Sequence, residues 1–101
     1  MQLHLLVAAS LVCSEGRVPV ALRVTDSAQA GIPGAEFRIG DAVVGAVLGR
    51  SDQEGSFQVC APPNAVIWVN LAGFKPAKFV VNPKLKPKHR LILEVLDLGG
   101  V

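Results

Sequence analysis

Few side chains in this chain of 101 residues could do chemistry: two cysteines, two histidines, eight carboxylates and no tyrosine. Cys13, Cys60, His4 and His89 lack the paired spacings of zinc ligands. No serine sits in a nucleophile elbow, and the one plausible base outside the leader-like opening, His89, lies between Lys88 and Arg90 and reads as a surface strand residue. The densest acidic stretch is Asp52-Gln53-Glu54, within GRSDQEGSF at 49–57. Its two side-chain carboxylates fall short of the about six to eight oxygens that calcium takes. The same residues suit a hairpin tip. Asp52 can accept hydrogen bonds from backbone N–H groups just beyond it, and Gly55 can adopt positive φ. No catalytic residue, metal ligand or cofactor site is therefore expected.

Binding chemistry has more to work with. In KLKPKHRL, residues 84–91, an extended chain would project Lys84, Lys86, Lys88 and Arg90 to one side. With Lys75 and Lys78 they would form a positive ridge suited to an anionic polysaccharide, a phosphate-rich surface or an acidic protein. A solvated edge strand guarded by lysine and proline explains the same run. Trp68 could stack on a sugar ring or anchor a protein partner. It could equally lie over a lysine stem or be covered by the N-terminal segment. The formal charge is only +2. Residues 1–60 carry four basic and six acidic side chains, and residues 61–101 carry six and two. That modest imbalance gives no reason to expect nucleic acid as a partner.

The elements that must position these groups read as short strands. Half the residues are hydrophobic, broken up by ten Gly and seven Pro, a pattern that favours strands and turns over helices. One domain of this length is small enough that every layer of core counts. VPVALRVT (18–25) puts Val18, Val20, Leu22 and Val24 on one face, and AEFRI puts Ala35, Phe37 and Ile39 inward. SFQVCA groups Phe57, Val59 and Ala61; VIWVN and its continuation group Ile67, Val69 and Leu71, leaving Trp68 on the opposite face. KFVVN is a further strand, and HRLILEVL is the last, with Leu91, Leu93 and Val95 facing in. GDAVVGAVLGRS reads as a loop with one or two short extended pieces. Seven strands with turns about every ten residues imply an antiparallel sandwich.

The opening MQLHLLVAASLVCSEG carries an apolar run from Leu3 to Val12, too short for a bilayer span of about 20 residues. It fits a secretory signal over residues 1–14, with the domain proper at 15–101. The alternative is an additional N-terminal strand. Cleavage after Ser14 would leave Cys60 a lone thiol; retention would make one bridge geometrically possible without implying it.

Two motifs go beyond a generic sandwich. VTDSAQAGIPGAEFRI resembles the opening of the carboxypeptidase regulatory-like domains, in the transthyretin-like (prealbumin-like) β-sandwich group. GRSDQEGSFQVCAPPNAVIWVNLAGFKP is similar to their second signature, through Ser51, Asp52, Gly55, Phe57, Gly73 and Phe74. Asp26, Gly31, Pro33, Gly34 and Ala35 carry the first. Ala65 stands where many members have tyrosine. The resemblance implies a seven-stranded Greek-key sandwich acting outside the cytoplasm as a non-catalytic accessory or binding module, with a protein or carbohydrate as possible partner. The group also includes hydroxyisourate hydrolase, whose two histidines, arginine and C-terminal Tyr-Arg-Gly-Ser are not matched here. Some pilin and adhesin relatives form lysine–asparagine cross-links from a lysine in the first strand, whereas the first lysine here is Lys75.

Overall fold

A computed structural model describes residues 12–96. The segment 1–11, and with it most of the possible leader or extra strand, lies outside the described residues. The strands are β1 Val18–Thr25, β2 Glu36–Ile39, β3 Ala46–Arg50, β4 Ser56–Ala61, β5 Val66–Asn70, β6 Ala77–Val80 and β7 Lys88–Ile92. They form two sheets, one ordered β4-β1-β7 and the other β3-β2-β5-β6. The chain therefore passes from one sheet to the other between β1 and β2, β3 and β4, β4 and β5, and β6 and β7.

Period-two alternation explains the interior. Val20, Leu22 and Val24 of β1 face Phe37, Ile67 and Val69 of the other sheet, all at most 3% exposed. Ile32, Ala35, Ala61, Val81 and Leu93 complete the buried cluster. Phe37 and Phe57 stack across the two sheets with ring centroids 4.2 Å apart and planes 9° from parallel. Burial of each such ring contributes about 2–3 kcal/mol. Gly49, opposite Phe37 in the β2–β3 register, makes room for this stack, because a Cβ there would come 2.7 Å from Phe57 Cε1.

Two features differ from the pattern read along the chain. The pairing is not wholly antiparallel, since β7 runs parallel to β1 with Leu22 opposite His89 and Val24 opposite Leu91. Parallel neighbours need a long crossover, and most of the chain separates these two. Next, Val95 is 69% exposed rather than inward. After Leu93 the chain leaves β1 and bridges to Phe74 beside the other sheet, so the alternation of β7 stops at Leu93. The glycine-rich 40–51 stretch, read as a loop with one or two short extended pieces, holds one strand, β3, at the sheet edge. A register shift between Phe37 and Arg38 obscures its periodicity.

Candidate functional site

The two sequence motifs pack against each other and hydrogen-bond as one junction. Asp52 Oδ1 accepts the N–H groups of Glu54 (2.9 Å) and Ser56 (2.8 Å), and the Gly55 N–H donates to the Asp52 carbonyl at 2.9 Å. Gly55 has φ +84°, and a Cβ there would overlap the Val24 carbonyl oxygen. Val24 N–H in turn donates to the Gly55 carbonyl at 2.8 Å. The first motif is held through Ser51. Its Oγ donates to the Ile32 carbonyl (2.7 Å) and accepts the Ala35 N–H (2.9 Å), while backbone bonds Gly34 N–H to Ser51 O and Ser51 N–H to Ala35 O flank it.

The remaining aspartates in turns are used in the same way. Asp26 Oδ1 accepts from Ala28 and Ala30. Asp41 Oδ1 accepts from Val43 and Val44, and the Val44 N–H first, then that of Val43, holds its carboxyl below the usual aspartate value. Glu36 meets Arg38 Nε at 2.8 Å and Arg50 Nη2 at 3.5 Å. Among the described residues no three of His, Cys, Asp or Glu converge as a metal site. His89 is half-buried rather than on the surface, its ring 4.6 Å from that of Phe79, because pairing with Leu22 turns it toward the space between the sheets.

The basic ridge divides. Lys78 lies on the outer face of the four-stranded sheet, paired with Trp68, and its Nζ stands 5.6 Å from the Trp68 ring centroid. Arg38 flanks Trp68 from the other side in register, so the indole sits between two cations. Lys75 is taken up by Glu94 at 3.6 Å. Lys84 and Lys86 occupy the β6–β7 loop. Lys88 and Arg90 point outward from the three-stranded sheet. The ridge cannot stay on one face because Lys78 lies on β6 and Lys88 and Arg90 on β7, strands of different sheets.

Sequence reasoning left two groups without a role. Ser51 was visible only as a motif match, since its bonds cross 16 and 19 residues. Arg23 read simply as an outward residue, and its neighbours depend on strand order. The cysteines pair: Cys13 and Cys60 form a disulfide across 47 residues, tying the segment before β1 to β4, with Arg17 Nη1 donating to the Cys60 carbonyl at 3.5 Å. This is the single bridge that retention of the N-terminal segment leaves geometrically possible.

No family model matches the chain, and no curated protein is similar to it. Among solved structures, the fold is similar to a streptococcal ancillary pilin, with TM-score 0.54 and 16% identity over 83% of this chain and 34% of that one. It is also similar to BcpA, the major pilin subunit of Bacillus cereus, with TM-score 0.52 and 22% identity over 78% of this chain and 29% of that one. The chain thus spans about a third of either pilin, and the likeness is one of β-sandwich fold.

Proposed function

We propose that this chain is a non-catalytic β-sandwich module working outside the cytoplasm, with a structural or positioning role. One observation carries this reading: Asp26, Asp41, Asp52 and Ser51 are engaged in the junction and turns, bonded to backbone groups at 2.7–3.0 Å, an arrangement that serves the fold rather than acid–base work. The disulfide supports an oxidising compartment, and the similarity to pilin folds is in keeping with a surface role. Kinship with carboxypeptidase regulatory-like domains remains part of the proposal. It is supported by the way Asp26–Ala35 and Ser51–Phe57 form one hydrogen-bonded unit.

A leader cleaved after Ser14 would leave Cys60 a lone thiol, whereas retention of the segment keeps the Cys13–Cys60 bridge. Mass spectrometry of the exported chain separates the two. A product that retains Cys13 should be lighter by two hydrogens than its reduced form, and one beginning at Glu15 removes the bridge from the support for the reading. A chain kept in the cytoplasm refutes the proposal. Purified protein should also show no turnover of ureide or ester substrates, and turnover abolished by His89→Ala would overturn the non-catalytic reading.

A further inference from the structure

We propose that the outer face of the three-stranded sheet binds an anionic polysaccharide through Arg23, Lys88 and Arg90. This face exists only through strand order. Arg23 of β1 pairs with Ser56 of β4 on one side and Arg90 of β7 on the other; one step along, Ala21 pairs with Gln58 and Lys88. Arg23, Lys88, Arg90 and Gln58 are all exposed. Two arginines thus sit side by side at about one strand spacing of 4.8 Å, with a lysine about two residues further along.

Like charges directly opposite each other in a sheet are destabilising, and among the described residues no ion pair relieves them. The ion pairs among the described residues engage Arg38, Arg50 and Lys75, while Arg23 Nε donates to the Glu54 carbonyl at 3.2 Å. That bond fixes the guanidinium without neutralising it. Ala21, with only a methyl group, leaves a depression of about 250 Å³ bordered by Arg23, Ser56, Gln58 and Lys88. Cations and hydrogen-bonding amide and hydroxyl groups therefore surround one shallow hollow on an open face.

That combination suits a sugar polymer bearing sulfate or carboxylate groups: the cations meet the anions, and Gln58 and Ser56 meet ring hydroxyls. No aromatic side chain is among the outward residues of β1, β4 and β7, so the base stacking that single-stranded nucleic acid uses is not provided. The assignment goes beyond the structural or positioning role and rests on that reading only for the compartment in which the polymer is met.

The test is binding of the oxidised protein to heparin, as a sulfated chain, and to a carboxylated polysaccharide, measured calorimetrically at low salt. Arg23→Gln with Arg90→Gln should weaken binding to at least one of them at least about tenfold, the effect of losing charge-assisted bonds. Lys78→Gln with Lys84→Gln removes the same charge elsewhere and should change it less than about threefold. Binding should fall as salt rises. The melting temperature of the arginine variant should hold or increase, since repulsion is relieved. The proposal is overturned by no binding to either polymer, by equal losses in the two variants, by an oligodeoxynucleotide that binds as tightly, or by a melting temperature lowered by more than about 5 °C, which would make these arginines structural. Each outcome is read on binding or stability, so none depends on where the protein resides or whether it turns over a substrate.

Discussion

Reducing the Cys13–Cys60 bridge should destabilise the domain more than any other single chemical change. The bridge closes a loop across 47 residues, and the chain-entropy relation puts the lost restraint on the unfolded state at about 4 kcal/mol. Some of this is returned in the folded state. Freed of the bridge, the arm keeps the Arg17 contact to Cys60 and the Arg17–Ser14 backbone bond, so only the one or two residues beside Cys13 regain freedom, which returns up to about 2 kcal/mol. The net loss is about 2–4 kcal/mol, which lowers the melting temperature by roughly 10–25 °C in a domain of this size. Calorimetry of the oxidised protein, the fully reduced protein and the Cys13→Ser/Cys60→Ser variant measures it, with thiol labelling to establish the redox state. Reduced protein and variant should agree within about 1 kcal/mol, since each removes the same restraint. A shift below about 3 °C on complete reduction would refute the reasoning, because the arm would then impose nothing on the unfolded chain.

Ser51→Ala strands the Ala35 N–H and the Ile32 carbonyl inside the junction, and urea unfolding should show a loss of about 2–4 kcal/mol; a loss under about 0.5 kcal/mol would mean the junction rearranges freely. Thr25 is fully buried and its Oγ1 has no hydrogen-bond partner, so Thr25→Val should hold or raise stability by up to about 1 kcal/mol, and a clear drop would show that the hydroxyl is bonded. Because the folded-state carboxyl of Asp41 is depressed, its contribution is present above the ordinary value of 3.8 and lost as pH falls through the folded value. An NMR titration should place its midpoint below 3.8, and Asp41→Asn should remove the acid-dependent opening of residues 41–45 seen by hydrogen exchange; a midpoint at or above the ordinary value refutes the assignment.

Much of the architecture was legible along the chain, for a local reason. Alternation in VPVALRVT and VIWVN depends only on neighbouring residues, and it correctly placed Leu22, Val24, Ile67 and Val69 in the interior. Turn chemistry is equally local: Asp52 and Gly55 satisfy backbone groups within four residues. What alternation could not reveal was which strand lies beside which.

That choice belongs to the tertiary structure, because groups 16 to 67 residues apart meet only once the sheets close. The Phe37–Phe57 stack, Ser51's grip on Ile32 and Ala35, the parallel β1–β7 pair and the Cys13–Cys60 link all arise there. So does the fate of the basic residues. Their linear reading joined Lys75, Lys78 and Lys84 through Arg90 in one ridge, yet the crossing from β6 to β7 sends Lys78 to one outer face and Lys88 with Arg90 to the other. Composition and period two determine which face of each strand is wet; only the pairing of distant strands determines which charges share that face.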